Sequence, residues 1–384
     1  MRVSTTQFSN MMMTVMQRQS SNLARTFDDI SSGKRIQQPS DDALATVKIQ
    51  HFNKEIASLE QYVSNVNQLQ GTLQQEDTLL ANMVNVVQRT RESVLLAGNG
   101  AYDESNLKSV AGEIDEQINE LVSLANYRLA DGQYMFAGNS TQNEPIQESG
   151  RYYYQGDDKQ RMVAISTSTK VASNDPGFDI FFDKGARIDA GATNVSEAQG
   201  YSITDNSRFT EVASIELNFD GTNWTAIPTD WQGNTLPAEP VTVTGSQLDI
   251  NGIATVDLDG IPTAGDSFTI QNMDIFTALT RLSDALNGNG DLQQEINTAL
   301  AVVDQTISSL GEAQTNVGGR LNMLDSTLNS HQDVILMDQV LKAELEDLDY
   351  SEAISRLNLQ ETALQASQQA YMKIQGLSLF NYLR

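Results

Sequence analysis

Apolar side chains return at every seventh position over a long stretch near the N-terminus: Phe52, Leu59, Val66, Leu73, Leu80, Val87 and Val94 form one series, with Ile49, Ile56, Val63 and Val84 as a companion. A seven-residue repeat keeps one stripe of a helix turned towards a partner, so the spacing predicts a long coiled-coil helix. The companion series breaks at Gln70, Asp77 and Arg91, which predicts packing against several partners rather than one clean seam. Gly98-Asn99-Gly100 ends the helix, and Leu107, Val110, Ile114, Ile118 and Leu121 predict a second one. The same periodicity returns far downstream, in Ile296, Val303, Leu310, Val317 and Leu324, with Leu300, Ile307, Leu321, Leu328 and Ile335 as the other register. Gly318-Gly319 interrupts that run at roughly 1 kcal/mol per glycine relative to alanine, and marks a bend or a close-packing site.

Between the two periodic flanks the pattern changes. Six of the seven prolines fall there, at Pro145, Pro176, Pro228, Pro237, Pro240 and Pro262, and the seventh is Pro39. Proline is poorly tolerated inside helices, so the flanks can be long helices and the centre cannot. Short β-prone runs, such as Tyr152 to Tyr154, Met162 to Ile165 and Phe178 to Phe182, alternate with turn residues. The pairs Asp220-Gly221, Asn251-Gly252 and Asp259-Gly260 suit tight hairpins. The expected fold is α+β: a long antiparallel helical bundle or coiled coil built from both chain ends, with an inserted mostly-β domain. Its expected parts are terminal helical assembly arms (1–42 with 345–384), a helical body (43–139 with 272–344) and a β-rich outer domain (140–271).

Composition removes most chemistry. The 384 residues carry a formal charge of −26, which sets net repulsion against nucleic acid and anionic membranes. Cysteine is absent, and the two histidines, His51 and His331, sit in separate helical stretches without ligand-spaced partners. No catalytic, metal or cofactor site is expected. Residues 1–8 lack the apolar core of a secretory signal, and no segment is long and apolar enough to span a bilayer, so a soluble chain without membrane insertion is expected. Residues 1–40 hold five basic and two acidic side chains and residues 345–384 three and five, so the ends are near neutral while the remainder is strongly acidic. Near-neutral ends can pack against copies of themselves.

The ends are also too lightly built to stand alone. Apolar residues of the first arm contribute on the order of 2 kcal/mol each if fully buried, whereas ordering costs roughly 1–2 kcal/mol per residue in backbone entropy. The arm therefore needs a partner surface, which the apolar C-terminal arm and neighbouring subunits supply. The candidate assembly residues are Phe8, Val15, Leu23, Phe27 and Ile30 in one arm and Leu357, Leu364, Tyr371, Ile374, Leu379 and Phe380 in the other. Gly33, Pro39, Ser40 and Asp41 form a helix break and cap: glycine accepts positive φ, proline prevents continuation, and Ser40 or Asp41 caps the next helix. Asp41-Asp42 at a helix start favours capping over acid–base chemistry.

Three motifs then carry a resemblance. Ile30-Ser31-Ser32-Gly33-Lys34-Arg35-Ile36, followed by Pro39-Ser40-Asp41-Asp42-Ala43, resembles the N-terminal signature of the bacterial flagellin family. Asp131-Gly132-Gln133-Tyr134-Met135-Phe136-Ala137-Gly138 resembles the turn after the helical hairpin in the hook–filament junction members of that family, and the end from Thr362 through Leu383 is similar to their C-terminus more than to that of flagellin. The resemblance implies a secreted structural subunit of the flagellum, without cofactors. It implies contact with hook-associated protein 1 on one side and flagellin on the other, and self-association in a tubular ring. It also implies an extracellular place at the junction, after a cytoplasmic stage held by an export chaperone and type III export. A flagellin-like filament subunit and, from another class, a secreted enzyme on a helical stalk are the alternatives.

Overall fold

The computed structural model describes residues 5–148, 151–191, 194 and 196–382, with side chains for all of these except Thr5, Thr6, Phe8, Asn206 and residues 374–382. Helices α1 (Thr5–Ser32), α2 (Ala43–Ala97) and α3 (Glu104–Ala125) come first. Short helices α4 (Gly177–Phe181) and α5 (Asn206–Phe209) lie among the strands, and α6 (Ile275–Leu286), α7 (Leu292–Glu346) and α8 (Tyr350–Tyr382) follow them. The N-terminal and C-terminal flanks are thus helical and the centre mostly β. The chain packs as two units, Asn65–Ser326 and Met1–Ser64 with Thr327–Arg384.

In the larger unit the seven-residue series of α2 and α7 are buried. Val66, Leu73, Leu80, Val87 and Val94 have no exposed surface, nor do Val303, Leu310, Val317 and Leu324 of α7. The companion row differs from the series through Gln70, Asp77, Val84 and Arg91. It runs one residue earlier, through Leu69, Glu76, Met83, Thr90 and Ala97, all buried. Together with the first series this gives alternating steps of three and four, the spacing that keeps a stripe on one side of a helix. On α7 the companions are likewise the small residues Ala299, Thr306 and Ala313. The two helices run antiparallel, with Arg91 Nε 2.6 Å from Asp304 Oδ1 and the end of α2 at Gly98 close to Ile296. Helix α3 adds Val110, Ile114, Ile118 and Leu121, and its Gln117 side chain donates to Ser93 Oγ at 3.1 Å.

Two small antiparallel pairs come next, β1 (Ile146–Glu148) with β2 (Tyr152–Tyr154) and β3 (Met162–Ala164) with β4 (Lys170–Ala172). An eight-stranded antiparallel sheet is then made from β5 (Ala186–Ala190), β6 (Glu197–Ile203), β7 (Val212–Phe219), β8 (Trp224–Asp230), β9 (Glu239–Thr244), β10 (Gln247–Ile250), β11 (Ala254–Asp259) and β12 (Ser267–Asn272). Its order is β5-β12-β7-β8-β9-β10-β11-β6. The sheet curls on itself, because the edge strands meet where Tyr201 Oη donates to the Ala186 carbonyl at 2.5 Å. Inside the curl lie Ile215, Leu217, Trp224, Leu248, Val256, Phe268 and Ile270. The Asn251-Gly252 turn has the positive φ values, 47° and 72°, that a tight hairpin between β10 and β11 requires. An ion cluster fastens the sheet to the helices. Arg187 of β5 reaches Glu295 of α7 at 2.6 Å, while Arg281 of α6 bridges Asp189 at 2.8 Å and Glu295 at 3.2 Å.

The Asp131-to-Gly138 motif is a core element. Met135, Phe136 and Ala137 are fully buried, and the Phe136 carbonyl accepts both Tyr154 Oη and the Gly177 N–H at 2.8 Å. Gly138 has φ +64°, and a Cβ there would fall 2.2 Å from the Asp157 carbonyl oxygen. By contrast Gly318 and Gly319 lie within one helix with nothing within 4 Å of an added Cβ, so they do not mark close packing. Chemical denaturation should therefore separate the two kinds of glycine. Gly318→Ala is expected to stabilise by about 1 kcal/mol. Gly138→Ala is expected to destabilise by more than about 1–2 kcal/mol, since the new side chain meets both a clash and a left-handed backbone.

Candidate functional site

Both chain ends enter the smaller unit, and the break between α1 and α2 is where they meet. Helix α1 ends at Gly33, whose φ is +71° and whose N–H bonds the Asp29 carbonyl at 2.9 Å. The next residues run alongside the link between α7 and α8. Arg35 N donates to the Glu346 carbonyl at 2.7 Å, Leu348 N donates to the Gly33 carbonyl at 3.0 Å, and Lys34 faces Asp347 in an antiparallel bridge. Side chains reinforce it, with Lys34 Nζ 2.5 Å from Glu346 Oε1 and the Arg35 guanidinium on the Leu345 carbonyl at 2.7 Å. Behind the bridge sits a small core of Ile36, Ala45 and Ile49, flanked by Leu345. The positive φ is what calls for glycine at this position, and a Cβ there would also come within 3.0 Å of the Tyr350 hydroxyl.

Capping falls one residue later than Ser40 or Asp41. Asp42 Oδ1 accepts the Ala45 N–H at 3.0 Å and is the N-cap of α2. Asp41 instead turns back, and its Oδ2 accepts the N–H groups of Gln38 at 2.9 Å and Gln37 at 3.1 Å. Those two amides, with Arg25 nearby, hold the Asp41 carboxyl below its ordinary range. Pro39 and Ser40 are exposed in the turn between.

From this junction α1 and α8 run antiparallel. Ser367 Oγ donates to Gln19 Oε1 at 2.9 Å, and Ser9 Oγ and Tyr371 Oη share a hydrogen bond at 3.2 Å. Leu23, Ile30, Leu357, Leu364 and Tyr371 are half-buried along the pair. Val15 and Phe27 point out, Phe27 with 63% of its surface exposed. Phe8, Ile374, Leu379 and Phe380 lie outside the described side chains. Further apolar residues outside the candidate set are exposed in the same unit: Leu44 and Val47 on α2, Leu336, Met337 and Val340 on α7, and Leu359 and Met372 on α8. The signal for them was present. They are apolar residues that fall off the seven-residue series, and a helix that is apolar on a second side has a second side to cover. Most exposed large apolar side chains among the described residues belong to this smaller unit, and such clustering marks an interaction surface.

Among the described residues no group of three His, Cys, Asp or Glu side chains is placed to hold a metal ion, and no helix is long and apolar enough to cross a membrane. His51 lies in α2 beside Glu55 at 3.5 Å, and His331 lies in α7 with its ring 6.0 Å from that of Tyr62.

Residues 3–141 match the bacterial flagellin N-terminal helical region. Over 365 residues the chain is 24% identical to flagellar hook-associated protein 3 of Salmonella typhimurium, covering 93% of this chain and 92% of that protein. The chain is similar to flagellar hook-associated protein 3 along nearly its whole length. A crystal structure of hook-associated protein 3 from Legionella pneumophila, 27% identical, superimposes with a TM-score of 0.53 over 77% of this chain and 98% of that one. Similarity to flagellin is narrower: the phase 1 flagellin of Salmonella naestved is 31% identical over 112 residues, which is 29% of this chain and 22% of that protein. Full-length likeness is thus to the hook-associated protein, and the flagellin likeness is partial.

The cap provides the first test of the junction. Asp42→Ala removes the α2 N-cap and should cost about 1 kcal/mol in thermal or denaturant unfolding, whereas Ser40→Ala should change stability by less than about 0.5 kcal/mol.

Proposed function

We infer that this chain is a structural subunit of the bacterial flagellum, joining hook to filament at their junction. The observation that carries the reading is likeness to hook-associated protein 3 along nearly the whole chain. The unpartnered apolar faces of the paired ends agree with a subunit that is completed by neighbours. In this reading α1 and α8 extend the antiparallel pair into a ring of identical subunits, and the rows Leu44, Val47 and Leu336, Met337, Val340 cover one another between copies. One rim of the ring meets hook-associated protein 1 and the other meets flagellin. The same apolar C-terminal arm needs cover before assembly, which a cytoplasmic export chaperone gives it until the chain leaves the cell unfolded. Its role is mechanical, with no reaction catalysed.

Burying such side chains between subunits contributes on the order of 2 kcal/mol each, and an aspartate in their place must be buried without a partner. Leu336→Asp and Leu364→Asp are expected to reduce incorporation into purified flagella at least tenfold. Leu336→Asp, on an exposed position, should leave monomer unfolding unchanged. Wild-type incorporation by either variant would remove that residue from the interface. Deletion of the whole gene distinguishes the junction from the filament: a missing junction subunit releases unpolymerised flagellin into the medium, and a missing filament subunit leaves none to release. Labelled antibody on isolated flagella should bind at the base of the filament; labelling along its length would make the chain a filament subunit.

A further inference from the structure

Helix α2 carries one acid inside its apolar seam. Glu76 lies between Leu73 and Leu80 with no exposed surface. Its Oε1 accepts the backbone N–H of Asp175 at 2.8 Å, and its Oε2 has no hydrogen-bond partner. The charged groups facing it are Asp175, Arg320 of α7 and Arg161. Both cations are already engaged. Arg320 pairs with the Asp175 carboxylate and donates to the Ala172 carbonyl at 3.3 Å, and Arg161 donates to Gln133 Oε1 at 2.5 Å and Asn174 Oδ1 at 3.3 Å. An ionised Glu76 would be a buried charge with a single hydrogen bond and another carboxylate beside it, so this surrounding favours the neutral acid.

Glu76 supports the segment that follows a hairpin. Strands β3 and β4 are fastened to α2 through Asn65 Nδ2 on the Ala164 carbonyl at 2.9 Å, and to α7 through Arg320. The link at Asn174 and Asp175, between β4 and α4, completes this hold, and within it Asn174 Nδ2 is buried without a partner. Beside the hairpin lies a cavity of about 200 Å³ lined by Asn65, Thr72, Arg161, Val163 and Ser173.

We propose that Glu76 is a proton-operated latch: neutral, it holds the Asn174–Asp175 link, and with it the preceding β3–β4 hairpin, on α2, and ionised, it releases them into a locally open state. Burial, and then the Asp175 carboxylate, push the Glu76 carboxyl up to about 8 in the closed state, against an ordinary value of 4.5 that the open state restores. The closed state is therefore fully favoured below the ordinary value. It loses ground by about tenfold per pH unit as pH rises towards the raised one, and no further beyond it.

Hydrogen exchange of the full chain tests this, comparing wild type with Glu76→Gln at about pH 5.5 and about pH 8.5 after correction for intrinsic exchange. Protection of residues 160–176 in the wild type should fall at least tenfold between the two conditions, while Glu76→Gln, which keeps the Oε1 acceptor and cannot ionise, holds its protection. Residues 212–230 of the sheet should not change in either. Equal losses in both proteins, or no loss in the wild type, overturn the latch. A second measurement does not depend on the variant folding: the ¹³C carboxyl resonance of Glu76 in the wild type should titrate near 8, and a midpoint in the ordinary glutamate range excludes it.

Discussion

A helix as long as α2 cannot cover its own apolar stripe, and no segment near it in sequence is long enough to do so. Only α7 matches it, and α7 begins almost two hundred residues after α2 ends. The antiparallel meeting of these two series is the constraint from which the rest of the architecture follows. It draws the flanks together and closes the intervening chain into a loop. Everything between must then either pack beside the helices, as α3 and α6 do, or fold on its own account, as the curled sheet does with its separate core.

Much of that plan was legible because a seven-residue repeat is a strong signal and proline marks where it stops. The finer register was not. Counting from Val63 and Val84 leads to Gln70, Asp77 and Arg91 as companions, yet the buried row passes through Glu76 and Thr90. An acid inside an apolar seam contradicts composition-based reading, and the backbone N–H that accommodates it comes from Asp175, in a distant part of the chain. The ion cluster of Arg187, Asp189, Arg281 and Glu295 was hidden for the same reason.

At the chain ends the motif residues showed where helices break, because glycine and proline act locally. They did not show that residues 33–35 and 346–348 would satisfy one another's backbone groups, a pairing across more than three hundred residues. Nor did attention to the seam reveal the second apolar row of Leu336, Met337 and Val340, since each looks like noise when only every seventh position is followed. The cap shifted from Asp41 to Asp42 because Asp41 has a competing local task, gathering the amides of Gln37 and Gln38. Two adjacent aspartates can divide such work, and sequence alone does not say how.

Helices α3 and α6 lie against each other, so the strand-bearing segment leaves the helical layer and returns to it at neighbouring points. A polypeptide that departs and comes back through one narrow doorway imposes little on its host, because lengthening or replacing it alters closure entropy only logarithmically. The sheet is in that sense a removable cassette. The surface it displays is free to diverge in size and chemistry while the long helices keep their spacing.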